Sequence, residues 1–244
     1  MKRKNTYWLL AISCLFAITF FSCKKKESVT VYMGYDYFPN KVGHYVIYQC
    51  DSIVVNPFKA TVPRFDTFKY QIKEVIDSIY NSQGQTTQLI IRYKRTDTTI
   101  PWSNILTIEK RWTGSLLSNM ATRLEDNNNY IKLVFPMSLN ETWNGNAQNT
   151  IGTWNYQYIT LNTPATVNGH TFDSTLTVFQ QKDSSFLSYQ YYFEQYAAGI
   201  GLINKVVRDY GYTSVNLFSI PPPIDSLTYG TYFYSETFLS SGNQ

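Results

Sequence analysis

The run Ala165-Thr-Val167-Asn168-Gly169-His170-Thr-Phe172 decides the fold class. Two β-favouring stretches flank Asn-Gly, the dipeptide best suited to the paired positive-φ positions of a type I′ hairpin turn. Outward from it, Thr171–Gln181, Phe186–Tyr196 and Leu202–Tyr210 continue as antiparallel strand candidates. Nearer the N-terminus, Tyr45–Cys50 is strand-like, and Thr67–Tyr80 and Thr86–Thr98 form a second hairpin around Asn81-Ser-Gln-Gly84. In Thr86–Thr98 the apolar Leu89, Ile91 and Tyr93 oppose Gln88, Arg92 and Lys94 only loosely, so the register stays open. Asn104–Gly114 follows a Pro101-Trp102 corner as a further strand. Ser118–Glu125 and Tyr130–Phe135 flank Asp126-Asn-Asn-Asn129, whose side chains tolerate left-handed backbone. Pro221-Pro222-Pro223 forces an extended segment that cannot join a ladder, before a last aromatic strand at Gly230–Phe238. Roughly nine to eleven strands at this spacing predict an all-β chain with a single antiparallel domain, a β-sandwich or barrel-like.

Composition agrees. Aromatic residues make up 17% of the chain, with 21 Tyr, and convincing helical periodicity is absent. Phe38-Pro39-Asn-Lys-Val42-Gly43-His-Tyr45 and Phe135-Pro136-Met-Ser-Leu139-Asn140-Glu-Thr142 share one shape, with an aromatic after each, Tyr45 and Trp143. Duplicated half-domains or a recurring strand-start chemistry both account for the echo.

The N-terminus carries an address. Lys2, Arg3 and Lys4 precede the apolar run Tyr7–Phe21, which has the length of a signal-peptide core and is short for a membrane span. Phe20-Phe21-Ser22-Cys23 resembles the lipobox of bacterial lipoproteins, with Phe20 where Leu is usual and Phe21 where a small residue is commoner. The resemblance implies cleavage before Cys23, diacylation of that residue and a stable two-chain attachment to a bilayer. Cys14 follows Ser13 and is the competing site; an uncleaved signal anchor is the other alternative. The organisation expected is a signal peptide over 1–22, a lipidated tether over 23–36 and an antiparallel β domain over 37–244. No Asp follows Cys23, so the default destination is the outer membrane, with periplasmic or cell-surface face open. Lys24-Lys25-Lys26-Glu27-Ser28 is similar to a surface-export signal of Bacteroidota, or else a solvated basic spacer. The Phe38-Pro39 segment and Tyr196-Ala-Ala-Gly-Ile-Gly-Leu-Ile203 resemble uncharacterised Bacteroidota lipoproteins, a resemblance that implies no activity.

With the signal removed, the formal charge of +4 falls to +1, which carries no nucleic-acid footprint. Cys50 is then the lone thiol, expected as a small buried residue rather than a reactive one.

Signals for catalysis are weak. Gly199-Ile-Gly201-Leu-Ile-Asn204 lacks the third glycine and the helix of a dinucleotide loop. His44 and His170 form neither a zinc site nor a triad by spacing, and Asp126-Asn-Asn-Asn129 is poor in carboxylates for calcium. Glu109, Glu125, Glu141, Glu194 and Glu236 are scattered, with nothing to mark the pair a glycosidase needs. Hence no catalytic residue, metal or cofactor is expected. Seven of the ten Asp residues precede Ser or Thr. Five of these runs, centred on Ser52, Ser78, Thr98, Ser174 and Ser226, resemble the O-glycosylation acceptor motif of Bacteroidota, or else close Asx and Ser/Thr turns.

The function expected is non-catalytic binding of a glycan or apolar ligand by an exported lipoprotein, with Trp102, Trp112, Trp143 and Trp154 as candidate stacking residues. The alternatives are a structural or assembly partner for an envelope protein, and a hydrolase with an unmarked carboxylate pair. The membrane is a partner through the lipid, and nucleic acid is not.

Overall fold

The structure, a computed structural model, describes residues 31–56, 59, 65–185, 188–211 and 231–244. The compact unit that carries the fold runs from Tyr32 to Gln244. Cys23, Ser226 and the Pro221–Pro223 segment lie outside the described residues.

Twelve strands follow one another: β1 His44–Val55, β2 Phe65–Ser82, β3 Gln85–Arg95, β4 Ile108–Leu116, β5 Met120–Glu125, β6 Asn128–Val134, β7 Thr142–Asn144, β8 Asn155–Val167, β9 His170–Ser184, β10 Ser188–Ala197, β11 Gly201–Gly211 and β12 Tyr232–Asn243. They form one antiparallel sheet in the order β6-β5-β4-β3-β2-β1-β12-β11-β10-β9-β8-β7. Each strand therefore lies beside its neighbours in sequence, and β1 pairs with β12, so the meander curls into a nearly closed barrel. Between the two architectures left open by the sequence, the structure selects the barrel.

Three of the turns are two-residue hairpins with both central residues at positive φ: Gln83-Gly84 (49°, 79°), Asp126-Asn127 (47°, 67°) and Asn168-Gly169 (49°, 79°). Gln83-Gly84 and Asn168-Gly169 lie at the same end of the barrel as the short β4–β5 and β10–β11 connections. That end is closed by Tyr32–Phe38, which includes a single 3₁₀ turn at Tyr35–Tyr37. Tyr37 is fully buried and its hydroxyl donates to Asn162 Oδ1 at 2.8 Å, while the Phe38 ring lies on Gly114, where a Cβ would sit 3.1 Å from Cζ.

The sequence echo falls at the start of each half of the barrel. Gly43 (φ 82°) and Asn140 (φ 67°) occupy the same left-handed position. Each is preceded by the same turn, with His44 N–H donating to Lys41 O at 3.1 Å and Glu141 N–H to Ser138 O at 3.1 Å. Each also donates to the second strand of its half, Gly43 to Ile76 O at 2.8 Å and Asn140 to Tyr158 O at 2.9 Å.

Closure fails as a ladder at one place. Strand β7 spans three residues, too short to cover β6 and β8, and scattered backbone bonds together with side chains take over from the ladder. Ile131 N–H donates to Gly145 O at 2.8 Å, Trp143 Nε1–H to Ile131 O at 2.9 Å, and Asn129 forms an isolated bridge with Gln148. The Tyr158 hydroxyl both accepts from Val134 N–H and donates to Val134 O, each at 2.9 Å, so one β8 side chain satisfies a whole β6 peptide edge. Beyond it the free edge of β8 is blunted by Asn162 (φ 52°), Pro164 and three register shifts.

Tyr158→Phe should leave two backbone groups of a buried edge unsatisfied and cost about 1–3 kcal/mol. Urea unfolding measures the loss, and hydrogen exchange should show faster exchange at Leu133 and Val134 than at the equally buried β1 amides.

Candidate functional site

Strand alternation points residues into the lumen, and unusually many of them are charged. Among the described residues four carboxylates (Glu74, Glu125, Glu194, Glu236) and four cations (Arg92, Arg123, Lys132, Lys205) meet there, a set with no net charge. Register explains the meeting: Glu194, Lys205 and Glu236 are cross-strand partners on β10, β11 and β12, and Glu74 and Arg92 are partners on β2 and β3. Three contacts then cross the lumen between the halves. Arg92 binds Glu236, Lys132 binds Glu194 at 2.8 Å and Lys205 binds Glu125 at 3.3 Å. Strands β1–β6 contribute a net +1 to this set and β7–β12 a net −1, so the two halves attract. Within each half, Glu74 holds Arg123, Lys132 holds Glu125 at 3.0 Å and Lys205 holds Glu194 at 3.3 Å.

Burial alone would raise the three carboxyls of Glu125, Glu194 and Glu236. The cations outweigh it: Lys132 and Lys205 hold Glu125 and Glu194 below the ordinary range, and Arg92 with Lys205 does so for Glu236. All three are therefore ionised at neutral pH. Tyr196 donates to Glu194 Oε2 at 2.6 Å and Tyr234 to Glu236 Oε1 at 2.5 Å, and burial with these carboxylates pushes both phenols up.

Above the charged layer, toward the end with the longer connections, the lumen widens into a cavity of about 260 Å³. Its walls carry four aromatic rings, Tyr70, Trp112, Tyr232 and Tyr234, together with Arg92, Lys205, Glu125 and Glu236 from below and Glu109, Lys110 and Asp126 at the rim. Tyr232 and Tyr234 stand two residues apart on one strand face, with ring centroids 6.0 Å apart and planes 10° apart. The Arg92 guanidinium lies 4.0 Å from the centre of the Trp112 ring. Burial pushes the Tyr70 hydroxyl up to about 12.

The four tryptophans do not gather. Trp112 alone lines this cavity. Trp102 lies under Arg95, with 4.3 Å from guanidinium to ring centre; Trp143 sits in the β6/β7 seam against Tyr158; and Trp154 packs edge-on to Tyr192 at 4.9 Å. Of the hydroxyl sites, Thr98 is exposed, Ser78 and Ser174 are half-buried, and Ser52 is 6% exposed. Ser174 also contacts the Tyr37 hydroxyl at 2.7 Å. Cys50 is free and buried, and burial pushes its thiol up to about 12. Glu125, Glu194 and Glu236, unmarked in the sequence, are brought together by register, whereas Glu109 stays at the rim. The cations Arg92, Arg123, Lys132 and Lys205 were not singled out by sequence reasoning. For Arg92 the one signal is its even spacing from Gln88 across the apolar run Leu89-Ile90-Ile91.

No family of known proteins matches the sequence, and no curated protein matches it. Among solved structures, a protein assigned as exported, with YmcC-like fold, from Bacteroides fragilis is similar with a TM-score of 0.46 and 9% identity, over 84% of this chain and 98% of that one. A protein assigned as a lipoprotein from Parabacteroides distasonis is similar with a TM-score of 0.44 and 10% identity, over the same shares.

Two consequences can be measured. The depressed carboxyls contribute stability that is fully present above the unfolded glutamate range and lost as pH falls toward their folded values, so unfolding midpoints should hold level from about pH 8 to 5 and drop below about 4. Glu194→Gln or Lys132→Met alone should cost about 3–5 kcal/mol, and Lys132→Met/Glu194→Leu together clearly less than the sum, by urea unfolding.

Proposed function

We propose that this chain is a lipid-anchored binding protein of the outer membrane that takes a glycan in the mouth of its barrel. The observation that carries the reading is the cavity above the ion pairs, where four aromatic rings surround hydrogen-bonding side chains that are already charge-neutralised. Rings accept the apolar faces of a sugar and carboxylates or guanidinium groups its hydroxyls. An apolar ligand fits less well, because it would bury the Arg92, Glu125 and Glu236 polar groups without replacing their water. Attachment through Cys23 follows the lipobox-like sequence.

A second reading, docking to another envelope protein, draws on the outer wall. Tyr191 and Phe193 alternate with lumen-facing Tyr192 and Glu194, and Phe179 and Tyr210 extend the row, with Arg208 5.7 Å from the Tyr191 ring centre. Glycosylation at Thr98, an exposed position of the five candidate acceptor sites, belongs to the same proposal as a surface modification.

The purified lipoprotein in detergent should bind members of a glycan array, and Tyr232→Ala should weaken the best of them by about tenfold while leaving far-ultraviolet circular dichroism unchanged. Cys23→Ser should move the protein from the membrane fraction to the soluble fraction in its host. Binding that survives Tyr232→Ala unchanged, or a Cys23→Ser protein that stays with the membrane, counts against the respective half of the proposal.

A further inference from the structure

We infer that the mouth of the lumen selects saccharides without charge, and that the Lys110–Asp126 pair at its rim sets that preference. This narrows the glycan reading and rests on it.

Each charged group on the cavity wall already has a protein partner of opposite sign. Arg92 is held by Glu236, Lys205 by Glu125 at 3.3 Å, Lys110 by Asp126 at 2.5 Å and Glu109 by Lys94 at 3.8 Å. A uronate or an amino sugar brings a charge that must either break up such a pair or enter the lumen uncompensated, and both are costly in a water-poor interior. A hydroxyl needs neither. Glu236 is engaged through Oε1 alone, by Arg92 and Tyr234, and Arg92 reaches Glu236 through Nη2 and faces Glu74 through Nε at 3.7 Å. Glu236 Oε2 and Arg92 Nη1 thus have no hydrogen-bond partner among the described residues, although both side chains are buried and line the cavity. One acceptor and one donor on neighbouring groups match a pair of adjacent ring hydroxyls, while Tyr232 and Tyr234 offer parallel rings on the same wall.

At the rim the balance is easily tipped without touching the buried layer. The Asp126 and Lys110 side chains are half-exposed, and Asp126 also accepts from Trp112 Nε1–H at 3.3 Å. Asparagine keeps the shape, the bond to Trp112 and the positive φ of this turn position, and removes only the charge. Lys110 then faces the mouth with no counter-ion.

The test compares oligosaccharides of matched length, neutral hexose, hexuronate and glucosamine, binding to the full lipidated protein in detergent by titration calorimetry at neutral pH. Wild type should take the neutral class about tenfold more tightly than either charged class, and Asp126→Asn should raise the ratio of hexuronate to neutral affinity about fivefold, with hexuronate itself bound more tightly. Tighter binding of a charged class by wild type overturns the inference, as does an Asp126→Asn protein whose hexuronate affinity is unchanged, and in either case the glycan reading stands. Failure of all three classes to bind wild type overturns the glycan reading and this inference together.

Discussion

The barrel depends on a charge-balanced interior. Twelve strands enclose more space than apolar side chains reach across, and here the gap is spanned by long charged chains that meet in the middle. Arg92 to Glu236, Lys132 to Glu194 and Lys205 to Glu125 each join strands of one half to strands of the other. Such pairs add little stability over well-packed hydrocarbon, but breaking any one strands a charge in low dielectric, so they dictate which strands face which. Register, closure and the position of the cavity follow from that requirement.

The same requirement explains the division of the lumen into layers. At the end sealed by Tyr37 and Phe38, the largely apolar Val46, Tyr48, Ile90 and Leu202 leave only a small cavity of about 40 Å³. The ionic layer comes next, and only above it do side chains stop meeting and leave room. The cavity is therefore a by-product of where the ion pairs end, and its floor is polar by necessity.

Much of the fold was legible. Asn168-Gly169 is a hairpin turn because residues at ease with positive φ fit there, the turn expected over Asn81–Gly84 narrows to Gln83-Gly84 as the strands run further, and the flanking strand runs were recognisable from Val, Ile, Thr and Tyr. Strand β7 was missed because three residues carry too little pattern, and the start of β8 because its edge is irregular. The candidate site was hidden for a sharper reason. In β3 the polar Gln88 and Arg92 point inward, the reverse of the usual rule, so the alternation along that strand left its register open. No single-strand pattern reveals that an arginine on β3 will find a glutamate 144 positions later.

What the sequence determines by itself is local: turn chemistry, strand propensity and the signal-like N-terminus, each set by a few consecutive residues. What the tertiary structure decided is everything that needs two distant strands at once. Closure into a barrel rather than a sandwich, the neutral set of four acids and four bases, and the ring-lined mouth above them arise because charges leave water only in company, and their company comes from the other half of the chain.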